Sequence, residues 1–539
     1  MAKPKTPNQK RKYGELNKRL AKYVMLVESI YEDLNLEAAK IVGITDFTID
    51  SDRPFMWSDY PQTRKRIRDL QERFVEDIGA VIYSGTSEEW KNSNEVQDLL
   101  ANKVLQTYGA TIGKEKYEIL YQPNNDALKA FQQRKDKGFT ISDKLWNQST
   151  LYKQELEEAI SCAIQKGTSA ITLSKQISKY LLDFPQLQKD YKERFGKASR
   201  AMDCEYRSIR LAASEINMAY RQAENLRWQQ MDFVVGYEIK LSNNHTCNGN
   251  PFQDICDILA GKYPKDFQWT SWHPLCRCYK IPILKTEEEF WEWDGRNEAT
   301  TASVNEVKDV PDAFKKWVLD NQERISTAKK RNTLPYFLRD NKSVYQKITV
   351  ESSISEIVKR ASSVGDEVQS IAERIAIKNG GYVTPINFKS TTSITRKVIT
   401  EGITPYDIKD AVRTTIIVPK SRIEDVLEEL YKTEGFLRLK RQKPESFMVY
   451  SGNIVNIRTT NGLTAEIQVN TERMIFAKER PEDAKRILGK KRWEEIHNET
   501  GMEGGLGHKY YEQWRILDKS SNEALKIVEK SIEYYSHFR

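Results

Sequence analysis

The spacing of apolar and polar positions changes twice along this chain. Through residues 8–230 the apolar residues recur at helical spacing. In LYKQELEEAISCAIQKG, Leu156, Ile160, Ala163 and Ile164 fall on one helical face, and Gly167 supplies a stop. Leu173, Ile177 and Leu181 repeat the pattern in the next segment. EYRSIRLAASEINMAYRQAENLRWQQ predicts a long helix with Ile209, Ala212, Ile216, Ala219 and Ala223 on its inner face. The period then shortens to two. In GYEIKLSNNHTC, Tyr237, Ile239 and Leu241 alternate with polar residues, which predicts a strand, and the Ser-Asn-Asn at 242–244 predicts a turn. A cysteine-containing segment follows and closes on a short apolar strand, YKIPIL.

The second change comes after residue 285. TEEEFWEWDGRNEATTASVNEVKDVPD reads as a linker, and DAFKKWVLDNQERISTAKKR as a helix within it. From about 351 an α/β pattern begins, with helical segments near 353–378, strands at 414–418, 453–459 and 464–470, and helices to the C-terminus. The expected fold class is multidomain: a mostly α N-terminal module with a small cysteine-containing β region, then a C-terminal α/β (α+β) domain with a mixed sheet. The expected boundaries are 1–150 for an N-terminal helical region, 151–285 for a second module, 286–350 for the linker and 351–539 for the last domain. A chain of 539 residues is too long for one ordinary core and suggests about three or four domains.

Composition narrows the class. With 39% hydrophobic and 30% charged residues the chain is globular rather than disordered. A net charge of +8 permits a polyanionic partner without demonstrating one. The first 22 residues hold eight Lys or Arg against one acid, the composition of a frayed, solvated terminus or of an arm that touches nucleic acid. VMLVESIYEDL is broken too soon by charge for a signal peptide, and no apolar run is long enough to span a membrane. The expectation is therefore synthesis in a reducing cytoplasm, where cysteines are metal ligands or core residues more often than disulfides.

Six cysteines sharpen that choice. Cys162 and Cys204 lie in helical segments and read as small packing residues. The others run Cys247, eight residues, Cys256, sixteen residues, His273, two residues, Cys276, one residue, Cys278, with His245 just upstream. That supply suffices for a tetrahedral structural zinc. The spacing is not that of a ribbon or finger, and in an extended Cys-Arg-Cys the two sulfurs point to opposite sides. Zinc, a corner of packed reduced thiols, and a disulfide formed after release from a cell stay open. A catalytic zinc is not expected, because no general base accompanies the cluster.

Those residues also carry a resemblance. A helix of the form RLAASEINMAYRQAE, a strand, a cysteine segment containing GKYP at 261–264 and a terminal HPLCRC resemble the phage Mu protein F family over roughly 150–285. These are minor head, or head morphogenesis, proteins of tailed phages. The resemblance implies a place near the portal of the virion, contacts with portal and other capsid proteins and with phage DNA, and a role in capsid assembly or delivery. Many members have two cysteines close together where Cys247 and Cys256 here stand eight residues apart.

The last domain offers a second constellation. FKSTTSITRKV holds Lys389, Ser393, Arg396 and Lys397, and on a helix Lys389, Ser393 and Lys397 would share a face suited to phosphate oxygens. YDIKDAVRTTIIVP places Asp410 and Arg413 at the start of a buried strand. In TAEIQVN, Glu466 and Gln468 face one side while Ile467 and Val469 face the other. If the two strands are neighbours, Asp410 and Glu466 can converge on one Mg²⁺.

The ordered set, closed by GHKYYEQWR, is similar to the synthetase domain of the RelA/SpoT family over roughly 365–520. The resemblance implies a nucleotidyltransferase-like fold and a pyrophosphokinase that moves the β,γ-pyrophosphate of ATP onto a ribose 3′-hydroxyl of GDP, GTP, another nucleotide such as ADP, or tRNA. It implies ATP contacts from Lys389, Ser393, Arg396 and Lys397, with Gln468 also toward substrate. Asp410 and Glu466 would hold Mg²⁺, Glu466 would act as base, Arg413 would offset developing charge, and His508 and Tyr511 would form a pocket wall. DAVR is shorter than the corresponding stretch of the long enzymes, so Asp407 is the fallback for Asp410. The family's guanine-stacking segment is not intact, and Tyr450 is the nearest candidate. No His-Asp dipeptide, the hydrolase hallmark of long members, occurs in the chain, which fits a toxin-like effector better than a housekeeping regulator and leaves open whether an antitoxin accompanies it. The competing readings are a head protein with an inactive nucleotide-binding domain, and a toxin that transfers AMP or ADP-ribose.

Overall fold

The structure is a computed structural model and describes residues 6–45, 53–109, 113–163, 170–242, 246–247, 250–251, 253–292, 303–441 and 452–538. The chain divides into two compact units, Met1–Tyr345 and Gln346–Arg539, rather than three or four domains.

The first unit is built on four long helices: α1 (Gln9–Val42), α2 (Arg64–Tyr108), α3 (Ile141–Ala163) and α4 (Cys204–Gln230). The boundary expected at 150 falls inside α3. Val27 and Tyr31 of α1, Phe74 and Ile78 of α2, Leu145 and Tyr152 of α3, and Cys204 and Ala212 of α4 share one core. Helices on both sides of that boundary therefore bury their apolar stripes against each other. Asp203 starts α4 by accepting a hydrogen bond from Tyr206 N at 3.2 Å. Ala212, Ile216, Ala219 and Ala223 are buried, as their spacing predicts. Gly85 of α2 permits the close approach, because a Cβ there would stand 2.5 Å from Ile216 Cδ1. Cys204 is buried in the core and Cys162 is half-buried.

Beyond α4, strands β1 (Val234–Lys240), β2 (Gly261–Tyr263) and β3 (Tyr279–Leu284) form an antiparallel sheet in the order β2-β1-β3. The short helix α5 (Ile255–Leu259) precedes β2. Of the stretch expected as a linker, 286–350, residues 303–345 are instead folded onto this sheet. Val307 N donates to Val235 O at 3.2 Å, and the Asn341 side chain bonds both the N–H and the carbonyl of Gln268. The physical reason is aromatic. Phe314 and Phe337 are fully buried and pack edge-on against Tyr263, Phe267 and Trp272.

The second unit holds a mixed sheet of β4 (Tyr382–Val383), β5 (Asn387–Phe388), β6 (Val412–Ile417), β7 (Phe436–Lys440), β8 (Asn453–Arg458) and β9 (Thr464–Asn470). The order is β4-β6-β9-β8-β7, with β5 also on β6, and among the described residues only β6 and β9 run parallel. Ala465, Ile467 and Val469 are buried with residues of α6 (Gly365–Lys378) and α8 (Ile423–Tyr431), so the alternation in TAEIQVN sets one apolar face. Between them α7 spans Thr391–Glu401. The chain closes with α9 (Glu472–Lys478), α10 (Leu506–Arg515) and α11 (Asn522–Ser536), joined through Met474, Phe476, Tyr534, Tyr535 and Phe538. Among the described residues no helix is long and apolar enough to cross a membrane.

Truncating Phe314 tests whether the folded stretch belongs to the first unit. Phe314→Ala should cost about 3–5 kcal/mol, read by denaturant unfolding, and should open residues 303–345 to protease.

Candidate active site

Ser390 caps α7 by accepting from Ser393 N at 3.2 Å, so the helix starts at Thr391. This corrects the expectation that Lys389, Ser393 and Lys397 share a helix face. Lys389 stands before the helix, its backbone N–H donating to Ala411 O at 2.9 Å. The Ser393 hydroxyl meets its own cap, Ser390, at 3.0 Å, and Arg396 is exposed on the helix.

The two lysines nevertheless converge. Lys389 Nζ donates to Asp410 Oδ2 at 2.5 Å and Lys397 Nζ to Asp410 Oδ1 at 3.0 Å. The Asp410 side chain keeps only 14% exposure. Burial pushes its carboxyl upward, but the ammonium groups of Lys389 and Lys397 outweigh that, and the net shift is below the ordinary range. Asp407 is engaged elsewhere: its carboxylate accepts from Thr404 N at 3.0 Å and Thr404 Oγ1 at 2.8 Å and closes a local turn.

The polar face of the sheet supplies the rest. Parallel pairing sets Arg413 of β6 directly beside Glu466 of β9. On the other side Asn456 of β8 stands opposite Glu466, and Arg438 of β7 opposite Asn456. Arg438 Nε donates to Asn456 Oδ1 at 2.7 Å. A relay runs behind the carboxylate: Lys478 Nζ donates to Gln468 Oε1 at 2.6 Å, and Gln468 Nε2 donates to Glu466 Oε1 at 2.7 Å. Burial holds the Lys478 ammonium below its ordinary pKa, with Glu479 and Glu466 pulling it back up.

The strand that begins two residues after Asp410 is thus the neighbour of the strand of Glu466, but the two carboxylates sit in separate networks, one of lysines and one of amides. Lys478, Asn456 and Arg438 escaped the sequence reading. Asn456 left a signal there, a polar side chain between the apolar Val455 and Ile457 of a buried strand. Lys478 left none, because its meaning depends on α9 folding back beside β9. His508 of α10 accepts from Arg480 Nε at 3.2 Å, and the Tyr511 ring lies 6.2 Å from Trp514. Tyr450 lies outside the described residues.

In the first unit the thiols of Cys256, Cys276 and Cys278 lie within 4.8 Å of one another, and His273 Nε2 lies 3.1 Å from Cys256 Sγ. The Cys247 side chain is outside the described residues.

No protein-family model matches the chain. A curated protein of Pseudomonas aeruginosa (strain UCBPP-PA14), described as the (p)ppApp synthetase toxin Tas1, is 35% identical over 181 residues, which is 33% of this chain and 41% of that protein. The relative is a synthetase toxin. The chain spans less than half of that relative's length. A solved structure of the complex between the Type VI effector Tas1 and its immunity protein matches with 35% identity over 35% of this chain and 97% of that one, with a TM-score of 0.32. The 181-residue match supports a RelA/SpoT-like synthetase domain in this chain.

The depressed pKa of Asp410 fixes the sign of a pH effect. Its ion pairs stabilise the second unit above the unfolded carboxyl value, near 4, and are lost as pH falls through the lower folded value. Asp410→Asn should flatten the acid limb of thermal stability plotted against pH.

Proposed function

We propose that the matched 181 residues lie in the second unit and make it an effector that transfers pyrophosphate from ATP to the 3′-hydroxyl of an adenosine nucleotide. The observation that carries this reading is the 35% identity to a protein named for making (p)ppApp. GDP, GTP and tRNA are the acceptors it competes against. In the reaction the 3′-oxygen attacks the β-phosphorus, the bond from that phosphorus to the α,β-bridging oxygen breaks, and AMP leaves.

The chain's own residues divide the work. Glu466, oriented by the Lys478–Gln468 relay, accepts the proton of the 3′-hydroxyl. Arg413 and Arg438 flank its row and offset charge that develops on the transferring group. Lys389 and Lys397 take phosphate oxygens, with Ser393 and Arg396 on the helix of Lys397, and Gln468, His508 and Tyr511 complete the surroundings.

Mg²⁺ suits the hard carboxylate oxygens of Asp410 and Glu466, and when bound it neutralises phosphate charge. A bare cation would meet two ammonium groups already paired with Asp410. A cation arriving with a triphosphate gives each lysine a new anion, so metal and nucleotide fit the site together.

The first unit we read as a minor head module of a tailed phage or prophage. What supports this is the order of helix α4, strand β1, the cysteine segment and HPLCRC. The chain would then travel in the virion near the portal, beside capsid proteins and DNA, and its producing cell would need a neutralising partner for the effector.

Two experiments test the halves separately. Full-length chain with ATP labelled in the γ-phosphate, Mg²⁺ and ADP, ATP, GDP, GTP or tRNA should move label to an adenosine nucleotide with release of AMP. Glu466→Gln should lower that rate about 10²–10⁴-fold, whereas unchanged transfer would remove Glu466 as the base. Mass spectrometry of purified particles should find the chain at low copy, and its absence from particles would end the head-protein reading.

A further inference from the structure

We propose that the first unit binds one structural zinc ion through Cys256, Cys276, Cys278 and His273. Tetrahedral zinc with Zn–S near 2.3 Å and Zn–N near 2.0 Å sets its ligands about 3.5–3.8 Å apart. Cys256 Sγ stands 3.8 Å from Cys276 Sγ and 3.1 Å from His273 Nε2, and the three sulfurs lie within 4.8 Å of one another. All three cysteines are buried. The separation of opposite sides expected for an extended Cys-Arg-Cys does not occur. Both sulfurs join the same cluster, and the turn at Leu275, whose φ of 60° is left-handed, with Cys276 N donating to His273 O at 3.2 Å, brings His273 back beside them.

The ring of His273 is set for the role. Its Nδ1 lies 2.7 Å from Pro274 O, a carbonyl that can only accept, so Nδ1 carries the proton and Nε2 presents its lone pair toward Cys256. Asp254 Oδ2 lies 3.3 Å from the same Nε2, while its Oδ1 accepts from Cys256 N at 2.7 Å and fixes the start of α5. Asp254 is the competitor for the fourth position.

Charge and second contacts agree. Three thiolates and one dication leave a net negative charge. The buried Arg221 guanidinium compensates it from α4, donating to Cys276 O at 2.9 Å, Cys278 O at 2.6 Å and Thr270 O at 2.7 Å. Asn217 Nδ2 donates to Cys276 O at 2.9 Å. Four protein ligands leave no open coordination position, which makes the site structural rather than catalytic. The ion would tie α5 and the loop of 264–278, which has no helix or strand of its own, to the backbone contacts that α4 already makes. None of this depends on the activity of the second unit.

The test is metal content of the full chain, purified from zinc-supplemented culture without chelator. One zinc per chain is expected, released as a mercurial modifies the thiols. Cobalt substituted for zinc should give the visible spectrum of a tetrahedral site with three thiolates and one nitrogen. Cys276→Ser should lose the metal, and Cys162→Ser should retain it. If Cys276→Ser fails to fold, the cobalt spectrum of the unaltered chain and of His273→Ala still decides, since the latter should lose the nitrogen ligand and keep three thiolates. Absence of zinc, with the thiols reduced or joined as a disulfide, overturns the proposal. So does a four-thiolate cobalt spectrum, or one that His273→Ala leaves unchanged.

Discussion

The second unit depends on the parallel pairing of β6 with β9. It is the one parallel pair of that sheet among the described residues, and its register decides which side chains stand level with Glu466. A slip of one residue would turn Glu466 and Gln468 toward α6 and α8 and expose Ile467 and Val469. The buried apolar face therefore enforces the polar one. Arg413, Glu466, Asn456 and Arg438 lie in one row because Ala465, Ile467, Val455 and Ile457 are packed beneath it.

The first unit is organised by a helix that buries charge as well as apolar surface. Glu224 of α4 accepts from Tyr13 Oη at 2.6 Å and pairs with Lys280 of β3 at 3.2 Å. Burial pushes the Lys280 ammonium down to about 8, against the pull of Glu224. Arg227 reaches Asp98 at 2.6 Å and Arg221 reaches the cysteine loop. Each of these groups would be costly to bury alone. Together they specify how α1, α2 and the small sheet meet α4.

Where alternation or helical spacing was strong, the elements were legible in the chain: α4, β1, β8 and β9 stand within a few residues of their expected limits. What failed to show has a common cause. The stretch holding Phe314 and Phe337 looks like a linker because its charged residues outnumber its aromatics, and only the sheet it covers makes those rings a core. Lys389 looks helical by spacing, but Ser390 is a better cap than a helix interior residue and starts the helix after it. Glu466 and Asp410 were visible as carboxylates beside apolar strands. Lys478 was not, since a lysine at a helix end is ordinarily solvated, and its burial is a tertiary fact.

The clamp on Asp410 changes what ligand binding means at this site. The carboxylate already holds Lys389 and Lys397 as its own counterions, inside the protein and largely away from solvent. For any anion that draws the lysines away, binding is then an exchange of partners rather than the creation of new ion pairs. Few small ions need to leave the protein surface for it to happen. Affinity at such a site is less sensitive to ionic strength than at an open basic patch of the same charge. A site built this way keeps its hold on an anionic ligand across a range of salt concentrations.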